Sequence, residues 1–208
     1  MPSRISIPSI INATLTGIKN AQTQYQVWTG GNWLWQAPEY LITTNIAANI
    51  SGIKGSKYIT LENGASEAIE DAGAKGRGRL PTDFREAGRV DILLWWADNT
   101  PRAIIEVKNQ ISGTDQYHHD LKRISSFLKR KPDVSSLQFG LFAFYDSAYD
   151  GARKPAERKV EDKIASIHAH AKSVVGKGFS TKLYKSETHR EENSAWTAAC
   201  LFIKPSVL

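Results

Sequence analysis

Residues 89–110 read RVDILLWWADNTPRAIIEVKNQ, two apolar runs on either side of the turn-former cluster ADNTP. Val, Ile and Leu dominate both runs, so the pair is expected to form a β-hairpin. Asp91 stands early in the first run, and Glu106 and Lys108 close the second with Val107 between them. Residues two apart on a strand share a face, so Glu106 and Lys108 project together while Val107 turns into the core. Charges on strands that otherwise read as core are expensive to bury, and such groups are normally paired or bound to a metal.

Fourteen residues separate Asp91 from Glu106 (106 − 91 − 1), enough for one strand to run out and the next to return with both acids at one end. Converging carboxylates repel, and a hard divalent cation resolves the repulsion. Oxygen donors of this kind suit Mg²⁺ or Mn²⁺, and the backbone carbonyl of Val107 adds a further oxygen. Lys108 beside such an ion is placed to orient or deprotonate a water for attack on a phosphodiester. The competing reading is a surface ion pair of Glu106 with Lys108, worth about 0.2–1 kcal/mol. It does not account for the apolar surroundings on both strands.

Outward from the hairpin, a helix is expected to start at Pro38 and run through EYLITTNIAANIS. Glu39 falls in its first turn and Leu41, Ile42, Ile46 and Ile50 fall on one side. KYITLE (57–62) reads as a strand and SEAIEDA (66–72) as a helical turn. A second helix is expected from Thr114 or Asp115 to about Lys131. Its apolar residues Tyr117, Leu121, Ile124 and Leu128 recur at helical steps, and Pro132 ends it. LQFGLFAFY (137–145) reads as a buried strand, 155–175 as an amphipathic helix, and 179–187 with 194–204 as a hairpin joined by THREEN. Residues 1–37, β-branched and carrying Trp28, Trp33 and Trp35, read as a strand-like extension. Its aromatics suit core filling better than base stacking. The expected fold is α/β, a mixed sheet with helices on both sides, in one domain over 1–208. Its core spans 38–145, with the N-terminal extension over 1–37 and the C-terminal helix and hairpin over 155–204.

The chain has 208 residues, 41% hydrophobic and 23% charged, which excludes a disordered class. Its net charge of +6 and pI near 9.4 point to a polyanionic partner, most simply nucleic acid. The segment 73–89, GAKGRGRLPTDFREAGR, offers Lys75, Arg77 and Arg79 on a glycine-rich exposed loop able to follow a phosphate chain. Lys122 and Arg123 on the second helix are further candidates for phosphate contact, although a solvated face is the plainer reading of that surface. A single cysteine, Cys200, excludes an intramolecular disulfide and a cysteine zinc site. With no secretion-like leader and no spanning apolar stretch, the expected setting is a reducing cytoplasm, away from membranes.

The acid, acid-x-lysine pattern on consecutive apolar strands, with helices in this order, resembles the PD-(D/E)xK nuclease superfamily. The name-giving pattern has proline where Val90 stands before Asp91. The resemblance covers 38–145 and implies a restriction-endonuclease-like αβββαβ core. It implies a Mg²⁺- or Mn²⁺-dependent nuclease, most simply a DNA endonuclease of restriction, defence or repair type. Asp91, Glu106 and Lys108 would be its site residues, and Glu39 an additional metal ligand on the first core helix. Gln110 or Gln116 would match the polar residue some members carry after the lysine. A homodimer is also implied, since many enzymes of this kind cut two strands. The rival readings are a catalytically inactive nucleic-acid-binding or assembly subunit of the same fold, and an interaction module of a defence or mobile-element system anchored by its aromatics.

Overall fold

In this computed structural model, residues 4–55, 57–74, 88–130 and 133–206 are described. Among them the chain is α/β, with a mixed sheet of seven strands flanked by five α-helices. No helix among these residues is long and apolar enough to cross a membrane.

The expected hairpin forms as β2 (Arg89–Trp95) and β3 (Pro101–Asn109), paired antiparallel with Ile92 opposite Ile105 and Leu93 opposite Ile104. The turn closes through the Trp96 amide donating to the Thr100 carbonyl at 2.8 Å, with Asn99 in the left-handed region at φ 67°. β1 (Tyr58–Gly64) lies antiparallel on the outer side of β2, and β4 (Phe139–Tyr149) runs parallel to β3 on the other. The remaining strands are β5 (Phe179–Lys185), β6 (His189–Glu191) and β7 (Ser194–Pro205). β7 lies between β4 and β5, antiparallel to both, so the C-terminal hairpin extends the central sheet. The short β6, within the THREEN linker, also pairs with β7.

Strand alternation divides the core into two layers. One face carries Ile92, Ile105, Val107, Leu141 and Cys200, covered by α1 (Ile7–Thr29) and α2 (Glu39–Ser51). The other carries Leu93, Ile104, Phe142, Phe144 and Leu201, covered by α3 (Ala65–Asp71), α4 (Asp115–Lys129) and α5 (Ala156–Val175). Each fully buried Ile or Leu contributes about 1.5–3 kcal/mol. Burial also pushes the Cys200 thiol up to about 12, consistent with a small core hydrophobe.

The N-terminal extension is helical, which corrects the strand-like reading of 1–37. Ile10, Ile11, Thr14, Gly17, Ile18, Ala21 and Gln22 are the buried residues of α1, spaced by three and four along one stripe. Ser6 caps the helix, its Oγ accepting from the Ser9 amide at 3.1 Å, and Pro8 occupies the first turn. The β-branched residues lose little by lying in a helix when their face is buried, so tertiary packing overrides propensity. The three tryptophans lie outside that stripe, at the end of α1 and in the segment leading through a 3₁₀ turn (Leu34–Gln36) to α2.

α2 is held close to α1 at Gly17. A Cβ built there would stand 2.5 Å from the Ile46 Cα and 2.7 Å from its amide nitrogen. No side chain can yield at that contact, because the obstacle is backbone. Gly17→Ala is therefore expected to force the helices apart and destabilise the fold by about 1–3 kcal/mol, as read by urea denaturation. Equal or greater stability of the alanine variant would refute the close approach.

Candidate functional site

β2 and β3 part company after the Ile92–Ile105 pair, while β2 stays paired with β1 down to Arg89. Extending the register by one residue sets Asp91 opposite Glu106, on the face covered by α4. The Asp91 carboxylate fills the gap: its Oδ2 accepts from the Val107 amide at 2.7 Å, replacing a main-chain partner. Val107 itself is buried in the opposite layer, as alternation requires.

Glu106 is fully buried. Its Oε2 accepts from the Arg123 guanidinium at 2.6 Å, and its Oε1 has no hydrogen-bond partner among the described residues. Arg123 also donates to Asp120 Oδ1 at 3.1 Å, one turn earlier on α4. Lys108 stands between two acids, donating to Glu39 Oε1 at 3.1 Å and lying 3.3 Å from Asp120 Oδ2. The second contact has the distance of an ion pair without hydrogen-bond alignment, since Asp120 Oδ2 makes no hydrogen bond. Glu39 Oε2 accepts from the Asn109 amide at 3.0 Å. The Asn109 side chain donates at 2.8 Å to the carbonyls of both Leu34 and Ala37, fastening the approach to α2 onto the end of β3.

The structure thus brings Asp91, Glu106, Lys108 and Glu39 to one strand end. It adds Asp120 and draws Arg123 inward. Arg123, expected to face phosphate, spends its guanidinium on Glu106 and Asp120, while Lys122 remains exposed. Lys75, Arg77 and Arg79 lie outside the described residues. Gln110 bridges to Ser147 of β4, its Nε2 donating to the carbonyl and its Oε1 accepting from the amide, each at 3.0 Å. Gln116 Oε1 accepts from the Ser112 amide at 2.6 Å. Asp120 was legible in principle, for it falls within the apolar stripe formed by Tyr117, Leu121 and Ile124. An acid at a buried stripe position needs a partner.

Electrostatics follow from this crowding. Burial raises the Glu106 carboxyl well above the ordinary range; Arg123 opposes the shift, and the Asp91 and Asp120 carboxylates add to it. Burial also raises Asp91, against the pull of the Val107 amide and Lys108. Burial would lower Lys108, but Asp120 and Glu39 outweigh it and the ammonium is held above its usual value. Four carboxylates face two cations, so the fully ionised cluster carries two negative charges in excess (4 − 2).

That excess and the unpartnered Glu106 oxygen fit a hard dication in chemistry. Among the described residues, no three acidic, histidine or cysteine side chains are gathered into a coordination shell. Each of the four carboxylates has at least one oxygen on an N–H donor. Compared with protein-family models, curated proteins and solved structures, the chain matches none.

Raised folded-state pKa values make Asp91 and Glu106 hold their protons to higher pH than the unfolded chain does. The stability this gives is complete below the unfolded carboxylate range and is lost as pH rises through the folded values. Wild-type stability relative to Glu106→Gln is accordingly expected to increase as pH falls from about 8 towards 4, in urea titrations across that range. A flat difference would show that Glu106 ionises freely. Near neutral pH, Mg²⁺ or Mn²⁺ is expected to raise Tm of the wild type and to leave that of Asp91→Asn unchanged. Equal shifts in both proteins would remove Asp91 from any metal site.

Proposed function

We propose that the chain is a Mg²⁺- or Mn²⁺-dependent nuclease acting on DNA, of the PD-(D/E)xK kind that its strand motif resembles. The observation that carries this reading is the buried Glu106 with its unpartnered oxygen, set opposite Asp91 at the parting of two strands, beside Lys108. Asp91, Glu106 and the Val107 carbonyl would hold the ion, with Glu39 as a further oxygen donor. When bound, the ion supplies charge neutralisation at the phosphate and acidifies a coordinated water.

The protein's own groups divide the remaining work. Glu39 and Asp120 hold the Lys108 ammonium at the carboxylates, where it can orient a water and steady negative charge developing on the phosphate. Arg123 neutralises Glu106 while the site is without substrate. The charged groups lie at a sheet end, open enough for Glu39 to remain 38% exposed, so a strand of nucleic acid can approach. The net charge of +6 supports a polyanionic substrate. A homodimer would allow both strands of a duplex to be cut.

One observation favours the inactive subunit of the same fold: the short ion pair of Arg123 with Glu106 already satisfies one ligand oxygen. Cleavage assays on linear, circular and single-stranded DNA separate the two readings. Metal-dependent cleavage is expected, falling by about a hundredfold or more in Asp91→Asn and Lys108→Met, the scale of losing one electrostatic stabiliser. Metal-independent binding with no cleavage in any protein would establish the inactive subunit. Unchanged cleavage by Asp91→Asn would remove the proposed site.

A further inference from the structure

Towards the same end of the sheet as the carboxylate site the chain leaves several aromatic rings in water. Trp35 is 39% exposed, Tyr40 50% and Tyr149 56%. They are not scattered. Trp35 lies within the segment that Asn109 clamps through Leu34 and Ala37, and Tyr40 follows Glu39 directly. Tyr149 ends β4, four residues past Tyr145, which is the register partner of Asn109. At about 3.3 Å per residue, Tyr149 lies roughly 13 Å along the strand from the level of the site.

Tyr149 and Trp33 form the aromatic walls of a cavity of about 440 Å³, completed by Glu191–Ser194 and Gly31. That volume is in the range of small-molecule sites. Trp33 packs partly against the α1–α2 layer, so its wall is anchored. Gly30 and Gly31, at φ 72° and 121°, let the chain leave α1 and return with Trp33 facing the cavity. On the far side Gln26 donates to both oxygens of Glu191, at 3.3 and 3.0 Å, tying β6 to the end of α1.

The charge at this cavity selects what can enter. Glu191 and Glu192 repel a phosphate chain, and nearby Arg190 is committed to Asp150 and Glu157. The Glu192 carboxylate at this rim is of the kind that accepts hydrogen bonds from the amino edges of bases, as acids do from cytosine N4. Aromatic faces accept any base by stacking. We propose that this cavity receives an unpaired nucleobase, so that the strand offered to the neighbouring carboxylates is single-stranded or locally opened. The choice of a nucleobase rests on the nucleic-acid partner proposed above together with the stacking walls of the cavity, and only the cleavage of its strand rests on the nuclease reading.

Fluorescence anisotropy with labelled oligonucleotides in metal-free buffer tests the cavity without cleavage. The probes are a single strand, the matching duplex, and that duplex carrying an unpaired flap. The wild type is expected to bind the single strand and the flap more tightly than the duplex. Tyr149→Ala is expected to weaken both by about tenfold, the scale of one lost stacking contact, and to leave duplex binding unchanged. Tyr149→Phe, which keeps the ring, should bind as the wild type does. Thermal melting of each variant confirms that the fold is intact. Equal affinity for single strand and duplex, or no loss in Tyr149→Ala, overturns the proposal, as does an absence of nucleic-acid binding. Adding Mg²⁺ keeps the two readings apart. A preference for unpaired strands without cleavage sinks only the nuclease, and cleavage without that preference sinks only the base cavity.

Discussion

The parting of β2 from β3 is the constraint around which this molecule is organised. Up to Ile92–Ile105 the two strands satisfy each other's backbone groups; beyond it the Val107 amide would be left without a partner, which a buried N–H does not tolerate. Asp91 supplies the acceptor. That substitution of a side chain for a strand brings a carboxylate into the sheet, opposite another at Glu106. Everything else at this end of the fold manages the resulting charge. α4 contributes Arg123 and Asp120, β3 contributes Lys108, and α2 contributes Glu39.

Such a cluster is a poor device for stability alone. Burying ionic groups costs several kcal/mol each, and their attraction repays the cost only with near-complete hydrogen bonding. Here the bonding is incomplete, since one Glu106 oxygen is unpartnered and the acids outnumber the cations by two. Well-packed apolar residues at these positions would make a more stable sheet end. The negative charge left over and the open Glu106 oxygen are the observations that support the proposed metal site over a plain ion pair. The Gly17 contact has a related role at a distance: the close approach of α1 and α2 sets where the first turn of α2, and with it Glu39, meets the end of β3.

Much of the fold was legible because its signals are local. The β2–β3 hairpin, α4, β4 and α5 follow from apolar periodicity and turn chemistry within short windows. The N-terminal segment misled for an equally local reason. Its β-branched composition resembles a strand, but the three-and-four spacing from Ile10 to Gln22 is helical, and spacing is what burial selects. At the site, the residues that alternation could place, Asp91, Glu106 and Lys108, were readable from the hairpin alone. Asp120 was readable only as an acid on a buried stripe in need of a partner, and the partners of Asp120 and Arg123 were not readable, because a helix sequence shows which residues share a face but not which strand that face will meet.

The sequence by itself determined the two charged strands, the turn between them and the helical stripes on either side, since strand alternation and helical periodicity depend only on neighbours along the chain. Only the tertiary structure decided where β2 and β3 separate, that Asp91 would take the Val107 amide, and that Arg123 would turn inward to Glu106. Those outcomes depend on desolvation and on N–H and carboxylate groups meeting across elements far apart in the chain. The aromatic cavity between the end of α1 and the β6–β7 turn belongs to the same class. Its walls, Trp33 and Tyr149, are 116 residues apart (149 − 33), and folding alone makes them neighbours.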